Sequence, residues 1–183
     1  MIRSHATYGL LLTGLALLAG GCKDILQPSL PAATQEGKDT FGCLLDGKAW
    51  VPNRTHTLDH IVESHVAGNK LFSLKAGDNR TPANFYLAIG DSTGIKPGVY
   101  QLRAGFEGSY DVVQGSSTTL YFSGPADRGQ LTVTKFEPFA RTGPAGSTVR
   151  GAIVAGTFEF TASTSSGQSI TVREGRFDVN DYQ

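Results

Sequence analysis

Residues 156–179 read GTFEFTASTSSGQSITVREGRFDV and form the most strongly patterned segment of the chain. In its first part the large apolar residues Phe158 and Phe160 alternate with polar ones, as in a β-strand buried on one face. Polar and glycine residues at 163–168 then supply a turn, and Ile170 resumes the alternation. The segment is therefore predicted to be a β-hairpin with one apolar face.

The second half of this hairpin contains an irregularity in its spacing. Phe177 and Val179 lie an odd number of residues after Val172, so an unbroken strand would place them on the opposite face. A β-bulge inserts one extra residue and restores the facing of the side chains that follow. We therefore expect a bulge at Glu174-Gly175.

The rest of the chain repeats the same pattern in shorter runs. Apolar residues alternate along 84–90, and 119–122 is a further short predicted strand after a turn at 115–117. Asp46-Gly47 is a strong hairpin-turn signal, and Gly68-Asn69 is a second candidate turn. A short helix over 56–63 is the competing interpretation of the least regular segment. Two loops are expected, one closing a hairpin at 124–129 and a Gly/Pro loop at 138–147.

These runs predict an all-β fold. They number about ten strands at spacings of 8–14 residues, without an amphipathic segment of helix length and without an internal repeat. The predicted architecture is a single antiparallel β-sandwich or barrel-like domain. The choice between sandwich and barrel stays open at this point.

The N-terminal residues 1–21 have the features of a secretory signal peptide. Arg3 supplies a positive charge, residues 10–18 are apolar, and small residues precede Cys22. The apolar run is much shorter than the roughly 20 residues that a membrane-spanning helix needs. Leu18-Ala19-Gly20-Gly21-Cys22 resembles a bacterial lipobox, which implies lipidation of Cys22 and anchoring in the cell outer membrane. The following Lys23-Asp24 resembles a surface-export signal, and whether the domain faces the periplasm or the exterior is left undecided.

Composition limits the domain organisation and the partners. Residues 22–39, with Cys22 at their start and Pro28 and Pro31 among them, are predicted to be a lipidated linker, and 40–183 to be the β domain. Removing residues 1–21 removes one basic residue, leaving 15 Lys and Arg against 16 Asp and Glu. This near-neutral balance argues against nucleic-acid binding.

The two ends of the predicted domain carry a resemblance. The stretch Thr40-Phe41-Gly42-Cys43-Leu44-Leu45-Asp46-Gly47-Lys48-Ala49-Trp50 opens it, and 156–160 with 171–179 close it, behind an Ala-Thr-Gln-Glu-Gly lead at 33–37. This bracket is similar to small Bacteroidota lipoproteins that carry an all-β domain of unknown function. The resemblance implies an envelope lipoprotein and implies no reaction, cofactor or catalytic residue.

Three histidines form the one candidate metal site. His56, His60 and His65 lie within ten residues, and His56 and His60 share a face on a helix or on a strand. A zinc or copper site needs three or four ligands and supporting contacts. A polar surface segment with incidental histidines is the competing interpretation.

Other reactive residues favour structural roles. Cys43 is expected to be a small buried residue, and Asp91-Ser92-Thr93 a turn rather than a hydrolase serine site. Asp178, Asn180 and Asp181 are expected to form a solvated end rather than a calcium site, which would need six to eight oxygens. Trp50 is expected in the core, while the positions of the tyrosines are left open.

The predicted function is that of a non-enzymatic envelope lipoprotein that binds a ligand or partner at loops or at a sheet face. Two alternatives remain: a structural or interaction module without a small ligand, and a metal-binding protein that uses the histidine segment. No cofactor is predicted. An aromatic-lined cavity would favour a small ligand, whereas a filled core with flat faces would favour the interaction module.

Overall fold

A computed structural model of the chain describes residues 29–53, 61–78, 82–143 and 146–182. These residues form eleven β-strands that belong to one sheet. In chain order the strands are β1 (Thr40–Leu45), β2 (Lys48–Trp50), β3 (Val62–Ala67), β4 (Leu71–Asp78), β5 (Ala83–Gly90), β6 (Gly98–Leu102), β7 (Gly105–Gln114), β8 (Ser117–Phe122), β9 (Gly129–Thr142), β10 (Thr148–Ser163) and β11 (Ser169–Tyr182). The all-β prediction is confirmed.

The strand order is β2-β1-β11-β10-β9-β6-β7-β5-β4-β3, with β8 paired to β7 and, at one position, to β10. All pairings are antiparallel except a short parallel contact between β6 and β7. The sheet curls until β3, at one end of the order, lies beside β11, where the Val66 amide donates to Asp181 Oδ2 at 3.2 Å. The domain is therefore one continuous curled sheet, consistent with the predicted sandwich or barrel-like architecture. Within the described ranges, no helix is long and apolar enough to cross a bilayer.

Two of the predicted turns have the expected backbone. Asp46 and Gly47 both have positive φ, at 48° and 79°, and connect β1 to β2. Gly68 and Asn69 both have φ of 55° and connect β3 to β4, with the Lys70 amide donating to the Ala67 carbonyl. Positive φ at both central residues matches the twist of antiparallel strands. Since Val62 and Glu63 belong to β3, the alternative helix over 56–63 is wrong at those two residues.

The predicted bulge lies on β11. Phe158 of β10 faces Gly175, and Phe160 faces Val172, so β11 contains one more residue than β10 across this interval. Glu174 accommodates the extra residue with a φ of 49°. Phe177 therefore returns to the buried face, as predicted from its spacing.

Two loop predictions are wrong. The sequence at 138–147 was expected to be a loop, but β9 continues through Pro138 to Thr142. Proline is tolerated there because this part of β9 pairs only with β10 and has no described strand on its other side. Residues 124–129 do not close a hairpin, since β8 pairs with β7 and β9 pairs with β10.

Aromatic side chains fill the interior of the curled sheet. Phe41 stacks on Phe158 with ring centroids 5.2 Å apart, and Phe85 contacts Trp50 at 4.7 Å. The core position predicted for Trp50 is confirmed in part, since the residue packs against the core but is only partly buried. Fully burying one such side chain stabilises the fold by about 1.5–3 kcal/mol.

Candidate interaction surface

The outer face of β5, β7 and β8 is formed by the side chains that alternate with the core. On β5, Phe85 and Leu87 point inward, so Tyr86 points to solvent. On β8, Leu120 and Phe122 are exposed while Tyr121 packs towards the core. The period of two that builds the core thus also builds this outer face.

The register of the strands brings the exposed apolar residues together. Tyr86 lies opposite Ser109, and Ser109 lies opposite Phe122, so the two rings flank one serine. Leu120 is two residues from Phe122 on the same strand face. Tyr86, Leu120 and Phe122 are 45%, 50% and 46% exposed. We call these three residues the outer patch.

Two depressions adjoin the outer patch. The larger, about 520 Å³, is lined by the patch together with Ser109, Ser123, Arg103 and Glu107. The smaller, about 260 Å³, shares Arg103 and Glu107 and extends to Leu71, which is also exposed. The patch therefore has one cation and one anion at its rim.

Arg103 has an unusual backbone conformation at this rim. Its φ is 63°, and its amide donates to the Phe106 carbonyl at 2.7 Å in the turn between β6 and β7. Left-handed backbone costs a residue with a Cβ about 1–2 kcal/mol relative to glycine. Within the described part of the chain, Arg103 forms no ion pair, so its guanidinium is available to a bound molecule.

A second surface lies on the outer face of β9, β10 and β11. A groove of about 470 Å³ runs there between polar side chains such as Thr132, Thr157 and Arg176, with Ala33 at its border. Its neighbour is the segment 31–39, which precedes β1. The groove is thus bordered by the chain itself and presents fewer exposed apolar side chains than the outer patch.

Residues 31–39 lie on this second face through hydrogen bonds to one carboxylate. Asp178 Oδ2 accepts from Thr34 Oγ1 at 2.6 Å and from the Glu36 amide at 3.0 Å, and Oδ1 accepts from the Gly37 amide at 2.7 Å. Lys135 Nζ also donates to the Gln35 carbonyl at 2.9 Å. The sequence assigned these residues to the linker, and this part of it is held on the sheet.

The C-terminal carboxylates do not form a solvated end. Asp178 and Asp181 are 1% and 2% exposed and lie on opposite faces of β11, because Asp181 is three positions after Asp178 on a strand whose side chains alternate. Burial raises the pKa of Asp178, but the hydrogen bonds from Thr34, Glu36 and Gly37 outweigh it and hold that pKa below its ordinary value. Two carboxylates on opposite faces of one strand cannot bind the same calcium ion.

The histidine segment lies largely outside the described residues. His56 and His60 are not among them, and neither is the predicted lipidation site Cys22. His65 is exposed on β3, opposite Ser73. Among the described residues no three His, Cys, Asp or Glu side chains are grouped as metal ligands. The three-histidine site and the lipid anchor stay predictions.

Two of the structural assignments are confirmed. Cys43 is fully buried, and burial raises the pKa of its thiol to about 12, which makes it a poor nucleophile. Asp91 and Thr93 form a turn in which Asp91 Oδ1 accepts from the Thr93 amide at 2.8 Å and from its hydroxyl at 2.7 Å.

Sequence reasoning did not identify the residues of the outer patch. The sequence leaves the position of the Tyr86 side chain open and carries no motif at Leu120, Phe122 or Arg103. A strand over 119–122 places Leu120 and Phe122 on one face, but the sequence does not show which face the core covers. Comparison of the chain with family models, with curated proteins and with solved structures finds no match.

Proposed function

We propose that this protein is a lipid-anchored envelope lipoprotein that binds a protein partner through the outer patch and catalyses no reaction. The observation that supports the proposal is the cluster of Tyr86, Leu120 and Phe122, each about half exposed, with Arg103 at the rim. The anchor rests on the lipobox-like sequence at Cys22.

The composition of the patch favours a protein surface as its partner. Contiguous exposed apolar side chains rimmed by polar ones are typical of interaction sites. Aromatic residues and arginine dominate the binding energy of many protein interfaces. Of the six large apolar residues that are exposed in the described part of the chain, four lie on adjoining strands of one face, namely Leu71, Tyr86, Leu120 and Phe122.

The packing of the interior favours an interaction module over a carrier of a small ligand. Phe41, Phe85 and Phe158 occupy the space that a ligand cavity would need. The depressions beside the patch are open to solvent rather than enclosed. Small-molecule sites usually bury most of their ligand, so open depressions of this kind suit another protein better.

Site-specific photocrosslinking in the native host tests the proposal. A photoreactive phenylalanine analogue at position 86 is expected to give a discrete adduct with a protein of the envelope. The matched control is the same analogue at Tyr182, which is 59% exposed but lies at the end of β11, away from the patch. The substitution Leu120→Ser in the position-86 protein should remove the adduct without changing Tm by more than a few degrees.

The proposal is rejected if positions 86 and 182 give the same adducts, or if position 86 gives none. It is also rejected if the adduct persists in the Leu120→Ser protein, because that side chain lies within the proposed contact. An adduct with lipid alone would place the patch on a membrane surface instead of a protein.

A further inference from the structure

Strand β8 is paired along only one of its sides. Its residues Ser117 to Phe122 pair with β7, and on the other side only Phe122 has a partner, Ser163 of β10. No described strand pairs with 117–121 on that side. The backbone there presents an open edge five residues long.

The composition of this edge differs from that of the other open strands. Charged residues and proline normally prevent sheet edges from pairing with other chains. The stretch of β9 that has a neighbouring strand on only one side contains Lys135, Pro138 and Arg141, and β3 contains Glu63. Residues 117–121 read Ser-Thr-Thr-Leu-Tyr, without a charge or a proline.

The short β2 edge is limited in another way. It has three residues, begins with Lys48 and is followed closely by Pro52. Among the described strands, β8 is therefore the open edge that combines useful length with strong β-propensity and no protective residue.

We propose that the β8 edge pairs with the β8 edge of a second copy of this chain, extending the sheet across a twofold axis. An antiparallel pair of identical strands is self-complementary, as a twofold interface requires. The absence of charge on 117–121 means that two identical edges meet without like-charge repulsion. The near balance of 16 basic and 16 acidic residues removes long-range repulsion as well.

The pairing also has a specific register. Because Phe122 already pairs with Ser163, the free segment is 117–121 and its centre is Thr119. The twofold axis then passes beside Thr119, so Thr119 of one chain lies opposite Thr119 of the other. Thr118 of one chain lies opposite Leu120 of the other. Directly opposed side chains on one face lie about 4.5–5.5 Å apart and stabilise such pairs.

This arrangement has a consequence for the outer patch. A twofold axis normal to the sheet leaves the outer faces of both copies on the same side. Leu120 and Phe122 of the two copies would therefore form one continuous apolar surface. The dimer does not depend on the proposed partner, but it would present two patches side by side and increase avidity for a repeated or elongated partner.

The first test measures the mass of the full chain in a non-ionic detergent by light scattering. The unsubstituted protein is expected to have twice the protein mass of one chain. Thr118→Lys places a charge on the exposed edge and should weaken association about tenfold or more. Thr142→Lys, at an exposed position at the end of β9, is the matched control and should leave the mass unchanged.

A second test reports the register. Thr119→Cys is expected to form a disulfide between two chains under mild oxidation, since directly opposed strand positions have suitable spacing. Thr142→Cys is the control for random collisions, and the unsubstituted chain shows the background without an added thiol. Cys43 is buried and should not react.

A monomeric mass for the unsubstituted chain overturns the proposal. A dimer that persists in Thr118→Lys also overturns it, because association then uses another surface. If Thr119→Cys crosslinks no faster than Thr142→Cys, the β8 edge is not the contact.

Discussion

Asp178 shows how one side chain can organise a segment distant in sequence. Its carboxylate accepts hydrogen bonds from Thr34, Glu36 and Gly37, more than 140 residues earlier in the chain. Hydrogen bonds to a charged acceptor contribute more than neutral ones, about 1.5–3 kcal/mol each. The attachment of residues 31–39 to the sheet therefore depends on this carboxylate being ionised.

We expect Asp178→Asn to lower the free energy of unfolding by about 1–3 kcal/mol at neutral pH, because an amide replaces one acceptor oxygen with a donor. The pKa of Asp178 is held below the ordinary aspartate value of 3.8, so the folded state favours the ionised form. This stabilisation is fully present above pH 3.8 and is lost as the pH falls through the folded-state pKa.

Urea unfolding at several pH values measures this effect. The difference in stability between the unsubstituted protein and Asp178→Asn should be largest near pH 7 and should shrink below pH 3.8. Glu137→Gln is a suitable control, because Glu137 is an exposed carboxylate whose pKa is also lowered, by Lys135. A difference independent of pH would show that the charge of Asp178 is not what holds the segment.

At Arg103 the left-handed backbone lowers the stability of the fold, whereas the side chain is expected to contribute to binding of the partner. Arg103→Gly relieves the left-handed backbone, although glycine makes the unfolded chain more flexible. We expect stability to stay unchanged or to rise by up to about 1 kcal/mol, while binding of the partner at the outer patch weakens. Thermal unfolding and the crosslinking yield at position 86 are the measurements.

Arg103→Ala separates the two contributions. It removes the guanidinium but keeps the unfavourable φ, so it should reduce crosslinking without gaining stability. If Arg103→Gly lowers stability by more than about 1 kcal/mol, the side chain has a structural role that the contacts do not show.

The irregular spacing of strand β11 sets how two neighbouring strands, β1 and β10, pair with it. Its extra residue near Glu174 shifts the register towards both β1 and β10. Gly175, directly after it, lies opposite Phe158, and a Cβ at that position would meet Phe158 Cδ2 at 2.5 Å. The absence of a side chain at Gly175 therefore allows the Phe158 ring to lie against the bulge.

We expect Gly175→Ala to lower the free energy of unfolding by about 1–3 kcal/mol, because the buried Phe158 ring has little room to move. Gly90→Ala is the matched control, since the nearest atom to its added Cβ is 4.0 Å away and its φ is not positive. The control should change stability by less than about 0.5 kcal/mol. Chemical unfolding of both variants compares them, and equal losses would contradict the packing argument.

At the scale of strands, the local sequence pattern predicts the turns and the bulge correctly, but it does not predict which strands pair with each other. The turns at Asp46-Gly47 and Gly68-Asn69 and the bulge at Glu174 follow from spacing and turn chemistry, which are local properties. The continuation of β9 through Pro138 could not be predicted, since it depends on that side of the strand having no neighbour. The same limit explains why residues 124–129 were mistaken for a hairpin loop.

At the scale of the whole molecule, the proposed anchor and the attached segment together limit the reach of the domain. A free linker from 23 to 39 could extend roughly 55 Å from the membrane. With residues 31–39 held on the sheet, the chain between Cys22 and Pro31 can span at most about 30 Å. An anchored domain would therefore stay close to the bilayer.

We expect Cys22→Ser to move the protein from the membrane fraction to the soluble fraction and to remove the mass of the acyl chains. Several acyl chains give stable anchoring, because each buried CH₂ contributes about 0.8 kcal/mol. Fractionation with mass spectrometry is the measurement, and Cys43→Ala, which removes the buried thiol, should stay membrane-bound. Recovery of the unsubstituted protein without acyl chains from the soluble fraction would reject the anchor.

The class of fold, the two positive-φ turns, the bulge on β11, the burial of Cys43 and the packing of Trp50 against the core could all be read from the amino-acid sequence. Each of these follows from the alternation of side chains or from backbone preferences over a few residues. Three features required the folded chain: Tyr86 and Phe122 meet on one outer face, β8 has an open edge, and residues 34–37 cover Asp178. These features depend on which distant strands become neighbours. The alternation of side chains along a strand is the same whichever strand pairs with it, so the sequence pattern does not identify the neighbour.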